Sequence, residues 1–202
     1  MKVNPNPLAE RYAINGHRVI LYAGTFEPYQ GLDLLVDASA EVVKARRDVR
    51  FLCAGGNEKQ VNSIKVRANQ RRVADYFIFP GLLPPEEVEF LLKIAFILIS
   101  PRAAGTNTPL KIYSYLRSGV PILATKIVSH TQVLTDDVAL LVEPCADALS
   151  AGILKLLDDA DLRERLAQNA RRLAEESYSP EAYRRKVAEV FTFLAARSQG
   201  RV

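Results

Sequence analysis

Leu91-Leu92-Lys93-Ile94-Ala95-Phe96-Ile97-Leu98-Ile99 is the stretch that decides the fold. It is the longest apolar stretch of the chain, yet it is too short to span a bilayer and Lys93 interrupts it. Val88, Leu91, Leu92 and Ala95 recur at helical spacing, while 96–100 is continuous and apolar, so the stretch reads as a helix running into a strand buried on both faces. The same alternation extends in both directions. Strands are predicted at 18–23, 50–54, 76–79, 96–100, 121–125 and 139–143. Leu32, Leu35, Val36, Ser39, Val42 and Val43 form a second helical stripe, and Pro84-Pro85-Glu86-Glu87 suits a helix N-terminus. The pattern is an α/β domain of three layers, a Rossmann-like parallel sheet of about six strands with right-handed connections.

Beyond residue 144 the pattern turns helical, at 147–158, 160–177 and 180–197, the last opened by Ser179 as N-cap and Pro180 in the first turn. Segment 57–75, rich in Lys, Arg, Gln and Asn, reads as a solvated helix or loop. Asn4-Pro5-Asn6-Pro7 reads as an extended entry, so 1–17 is expected to be a linker or N-terminal extension. There is no internal repeat and no low-complexity tract.

The 202 residues are 49% hydrophobic and 25% charged, as in one globular domain with a core of its own. The net charge of +4 comes from Arg residues spread along helices, so no nucleic-acid partner is expected. Cys53 and Cys145 each lie in or beside apolar sequence and are expected as buried free thiols in a reducing compartment. No signal peptide or transmembrane segment is read, and a cytoplasmic location follows as the expectation. His17 and His130 are far apart and no His or Cys pair has ligand spacing, so no metal site is predicted.

Ligands of open parallel sheets bind at the carboxyl ends of strands, which directs attention to the loops after them. In loop 101–111, Gly105-Thr106-Asn107-Thr108 precedes Pro109 and the periodic positions Leu110, Tyr113 and Leu116. Asn107 or Thr108 is expected to cap a helix starting at Pro109, so that free N–H groups, hydroxyls and Lys111 face one small volume that fits a diphosphate. The same residues also fit a plain helix cap with a solvated Lys111. Gly24 and Gly31 flank the first loop and allow close backbone approach, but the loop is neither a dinucleotide fingerprint nor a Walker loop. His130, after the fifth predicted strand, fits either a substrate contact or a hydrogen-bonded structural role.

From Arg18 to about Phe193 the chain resembles the C-terminal Rossmann-like domain of the glycosyltransferase group 1 family, retaining enzymes of GT-B fold. The carriers are the segment from Leu21 to Leu35, Ser100-Pro101-Arg102, the segment from Gly105 to Leu116, and the segment from Ser118 to Thr125. The resemblance implies a nucleotide-diphosphate sugar as donor substrate and no other cofactor, with no required metal. Its implied diphosphate site comprises Gly24, Thr25, Gln30, Arg102, Gly105, Thr106, Asn107, Thr108, Leu110 and Lys111, with Ser114 at the ribose and Gly81 and Leu82 at the base. His130 and Arg102 are the candidates for a catalytic role. The family's Glu-x7-Glu pair would fall at Thr106 and Ser114, and its first-loop cations at Thr25 and Gln30, so all four charges are replaced here by neutral residues.

The family's enzymes use two such domains, and this chain has room for one. The resemblance therefore implies an acceptor saccharide, lipid or other small molecule held by a missing N-terminal domain, which could also bring the protein to the inner membrane surface. It implies that 18–178 is the nucleotide-sugar domain, that the helix at 179–202 packs toward that other domain, and that this chain alone is inactive. Two alternatives stand beside this: a non-catalytic GT-B-like binding or scaffolding module, and a sugar-nucleotide epimerase, for which no acid/base pair is evident.

Overall fold

The computed structural model describes residues 7–199, with side chains through residue 192. Six parallel strands run in the order β3-β2-β1-β4-β5-β6, comprising β1 (Arg18–Ala23), β2 (Val49–Ala54), β3 (Phe77–Gly81), β4 (Ile97–Ser100), β5 (Ile122–Thr125) and β6 (Leu140–Val142). This is the doubly wound order, with the direction of winding reversing between β1 and β4. All six expected strands are present.

Around the sheet lie α1 (Pro7–Arg11), α2 (Leu32–Ala45), α3 (Glu58–Gln70), α4 (Pro85–Ile94), α5 (Lys111–Ser118), α6 (Val128–Thr131), α7 (Ala146–Asp158), α8 (Ala160–Tyr178) and α9 (Pro180–Gln199). Side chains alternate along each strand and divide the core between two faces. Leu21, Leu52, Leu98 and Ala124 meet α4, α5 and α8 on one face; Ile20, Phe51, Ile97 and Leu123 meet α2 and α7 on the other. Most of segment 57–75 forms α3, opened by a capping box in which Asn57 and Gln60 exchange hydrogen bonds. Ser179 caps α9 as expected, its Oγ accepting from the Ala182 N–H at 3.0 Å.

Three local readings differ. Within the 1–17 stretch, residues 7–17 form α1 and a turn that buries Tyr12 and Ile14 against the core, with Tyr12 donating to Glu87 at 2.8 Å; residues 1–6 lie outside the described residues. Cys53 is buried, but Cys145 is exposed because it stands at the N-terminus of α7 instead of inside it. The expected cap on α5 is also absent. That helix begins at Lys111, no side chain caps it, and Asn107 and Thr108 are held elsewhere, as described below.

Candidate donor-binding site

The carboxyl ends of β1 to β3, with α4 and α5, enclose a cleft of about 390 Å³ beside the point where the winding reverses. Gly24 and Thr25 form its edge over β1, Leu82 and Leu83 stand beyond β3, and Lys111, Ser114 and Tyr115 come from α5. Backbone packing brings these loops together. A Cβ on Gly55 would lie 1.9 Å from the Gly24 carbonyl oxygen, and one on Gly31 would lie 2.0 Å from that of Pro101, so each position admits only glycine.

Lys111 does not point into solvent. Its ammonium lies 3.8 Å from the centroid of the Tyr22 ring and donates to Gln30 Oε1 at 3.1 Å, while Gln30 Nε2 donates to Thr25 Oγ1 at 3.3 Å. Lys111 thus reaches across to the first loop, at the two positions where cations are replaced. Burial, and then the nearby positive charge of Arg102, push its pKa down from the ordinary lysine value to about 7. Among the described residues Lys111 forms no ion pair and no Asp or Glu lines the cleft, so this half-buried cation is held by the Tyr22 ring and Gln30 without an anionic partner.

Arg102 organises its own loop. The guanidinium donates to the Ala104 carbonyl at 2.8 Å, to the Asn107 carbonyl at 2.9 Å and to Asn107 Oδ1 at 3.1 Å. Gly105 is required by this wrapping, since a Cβ there would meet Arg102 Nη2 at 2.4 Å. The exit of the loop is held from the residue that ends α6, where Gln132 Nε2 donates to the Thr106 carbonyl at 3.0 Å and Gln132 Oε1 accepts from Thr108 at 2.8 Å. Thr106, Asn107 and Thr108 therefore shape the loop and do not line the cleft; Leu110 is 82% exposed.

His130 is fully buried. The Thr125 carbonyl 2.8 Å from Nδ1 can only accept, so Nδ1 carries the proton and Nε2 accepts from Ser100 Oγ at 2.9 Å. Burial drives its pKa down to about 4, leaving a neutral ring that ties β4 to β5. Next to it, the Thr125 hydroxyl donates to the Arg102 carbonyl at 2.5 Å. The pairing is a structural tie, with no reach into the cleft.

The cleft thus unites Gly24, Thr25, Leu82, Lys111 and Ser114 of the expected set, with Gln30 bonded to Lys111 behind its edge. Gly81 accepts from the Gly55 N–H at 2.7 Å through its carbonyl, just before Leu82. Sequence reading missed Tyr115 and Gln132. The Tyr115 phenol, fully buried, accepts from the Ala23 N–H at 3.1 Å and donates to the Ile99 carbonyl at 3.4 Å, joining the two strands at the reversal. Its place one position after Ser114 was the available signal. Gln132 ends the candidate loop 126–132 after the fifth strand, but its partners, 24 and 26 residues away, could not be read from the sequence.

Fold and cleft define a doubly wound α/β domain of GT-B half-domain type. The family profile described as Glycosyl transferases group 1 matches residues 8–173, and the chain belongs to that family. Among curated relatives, it is 24% identical over 186 residues to the alpha-D-kanosaminyltransferase of Streptomyces kanamyceticus, covering 91% of this chain and 48% of that protein. It is 25% identical over 171 residues to the phosphatidyl-myo-inositol mannosyltransferase of Mycobacterium leprae, covering 81% and 44%. The chain thus spans about half the length of the curated relatives it matches. Anabaena HepE, solved in complex with UDP, superposes with a TM-score of 0.82 at 16% identity over 93% of this chain and 53% of that one. The C-terminal domain of the group 1 family protein LpcC from Francisella tularensis superposes with a TM-score of 0.71 at 18% identity, covering 81% and 87%.

Among the described residues, no helix is long and apolar enough to cross a membrane, and no three His, Cys, Asp or Glu side chains are grouped to hold a metal ion.

Proposed function

We propose that the chain is the donor-binding half of a retaining glycosyltransferase that transfers a sugar from a nucleotide-diphosphate sugar. The observation that carries the reading is the half-buried Lys111 ammonium on the cleft, held by the Tyr22 ring and Gln30 with no carboxylate on the walls. A buried charge without a partner is costly, and a diphosphate is the ligand that compensates it. On this reading Lys111 and the uncapped N-terminus of α5 face the leaving diphosphate, where they stabilise its growing negative charge. Kanosamine, mannose and UDP in the names of the relatives support a sugar-nucleotide donor as a class.

The acceptor and the residues that activate it belong, on this reading, to a second domain. The exposed apolar face of α9, with Tyr183, Val190 and Phe191, is where that domain packs, and the protein works in the cytoplasm, on soluble or membrane-surface acceptors. Transfer is expected only when both halves are present.

Calorimetric titration with UDP, GDP and ADP in the presence of EDTA tests the donor site. Binding of at least one diphosphate, weakened in Lys111→Ala, is expected; no binding of any would contradict the reading. The second reading, a non-catalytic module, is favoured by the neutral Thr106 and Ser114 in place of the glutamate pair. It predicts diphosphate binding without sugar transfer when the chain is supplied with its other half.

A further inference from the structure

We propose that Lys111 is an acylation site: its amine takes the acyl group of a small acyl phosphate that enters the cleft, and the resulting amide closes the cleft to anionic ligands. The reactivity of the amine stands without the donor reading, whereas the consequence for nucleotide binding rests on that reading.

The two contacts that hold the Lys111 nitrogen both take hydrogens. Gln30 Oε1 accepts one at 3.1 Å, and the face of the Tyr22 ring, its centroid 3.8 Å from Nζ, attracts a second. Gln30 is held in that orientation by its own donation from Nε2 to Thr25. A third hydrogen has no acceptor among the described residues. When it leaves, the lone pair takes its place on a side chain that lines the cleft, with no donor to occupy it.

Nothing around the amine holds the proton back. The titratable groups about it are Tyr22 on β1, Cys53 on β2, Arg102 after β4, Tyr115 on α5 and His130 on α6. Burial pushes both phenols and the thiol up and brings His130 down to about 4, so none of these groups is an anion at neutral pH. With Lys111 itself at about 7, about half of it is free amine at pH 7, as in desolvated lysines that act as nucleophiles. Lys59 and Lys65, on α3, are exposed and give the comparison.

An acyl phosphate fits the cleft at both ends. No carboxylate repels its phosphate, the N-terminus of α5 attracts it, and Leu82, Val88 and Leu92 offer apolar contact to its acyl group. Nζ attacks the acyl carbon and forms the C–N bond; the bond from that carbon to the phosphate oxygen breaks, and phosphate leaves with the electron pair. The surplus proton on nitrogen passes to the departing phosphate or to water. The amide keeps one N–H for Gln30 Oε1 and loses the charge over Tyr22, so an uncharged group replaces a cation that has no anionic partner.

Treatment of the full chain with acetyl phosphate between about pH 6 and about pH 9, read by quantitative peptide mass spectrometry, tests the proposal. At pH 7 Lys111 should be acetylated about tenfold or more faster than Lys59 and Lys65. Its rate should level off above about pH 8, where a solvated amine still gains about tenfold per pH unit. In a folded Gln30→Glu chain the new carboxylate keeps the proton on Lys111, and its rate at pH 7 should fall about tenfold. Acetylation of Lys111 no faster than that of Lys59 and Lys65 overturns the proposal, as does a Lys111 rate that still climbs about tenfold per unit at about pH 9, or an unchanged rate in Gln30→Glu. The acetylated chain should bind UDP about tenfold or more weakly than the untreated one. Equal UDP affinity overturns the closing of the cleft, and absence of UDP binding to the untreated chain overturns the donor reading while the acetylation rates still decide the reactivity of Lys111.

Discussion

Lys111 Nζ and Gln30 Oε1 are 3.1 Å apart, which joins the first turn of α5 to the loop after β1 across 81 residues of sequence. The bond explains how a neutral glutamine occupies a position where cations are common in the family: it holds a cation supplied by another element. The price is a lysine whose charge has lost part of its water.

That loss makes stability depend on pH. The folded-state pKa of Lys111 is about 7 against 10.5 for an ordinary lysine, so the unfolded chain holds the extra proton between these values. The cost of burying the charge is fully present below pH 7 and fades as pH rises from 7 toward 10.5. Lys111→Met should therefore be more stable than the unaltered chain by about 2–4 kcal/mol at pH 6, with the gap closing toward pH 10. Chemical denaturation across that range measures it.

His130 acts in the same direction over a more acid range. Its pKa is held at about 4 against 6.5 when free, so the unfolded chain takes up a proton first and stability falls as pH drops from 6.5 to 4. His130→Phe should remove this acid sensitivity. At pH 7 it should also cost about 2–4 kcal/mol, because Ser100 Oγ and the Thr125 carbonyl lose their partner. Thermal unfolding of both proteins at pH 7 and pH 5 separates the two effects.

The approach of Gly31 to Pro101 can be tested by adding one methyl group. Gly31 has φ 72° and its missing Cβ would sit 2.0 Å from a backbone oxygen that has no rotamer to adopt. Gly31→Ala should destabilise the domain by about 2–4 kcal/mol and weaken nucleotide binding at temperatures where it stays folded. An equivalent change at Gly16, where the added Cβ meets nothing within 4 Å, should cost about 1 kcal/mol from its φ of 77° alone.

Gln132 is exposed, so its truncation should spare the core. Gln132→Ala removes both hydrogen bonds to Thr106 and Thr108, and should lower stability by less than about 1 kcal/mol. Donor affinity should fall about three- to tenfold, as a loop held in one conformation becomes an ensemble. Paired denaturation and calorimetry give the two numbers.

The sheet was legible because strands buried on both faces are continuous apolar runs, and Ile97-Leu98-Ile99 has no other stable use in a chain of this pattern. The loops at the carboxyl ends of the strands, with Gly24, Leu82 and Lys111, followed from the parallel pattern, whereas the strand order that brings them to one reversal point is visible only in the fold. Side-chain direction was not legible. Asn107 and Thr108 have the chemistry of helix caps, but Arg102 and Gln132 compete for them, and those bonds depend on tertiary placement. Val88 and Leu92 carry a core-like period because the apolar cleft wall and the core are the same face of α4. The Tyr22 ring beneath Lys111 is an ordinary strand residue until the fold brings the lysine over it.

The central claim is that a nucleotide diphosphate binds against Lys111, and the pH titration of the Lys111 Cε resonance, with and without saturating nucleotide, tests it most directly. The free chain should titrate near pH 7, and a bound nucleoside diphosphate such as UDP should raise the midpoint by about 1.5 units or more, as an opposite charge restores the ammonium. A midpoint that nucleotide leaves unchanged would contradict the account.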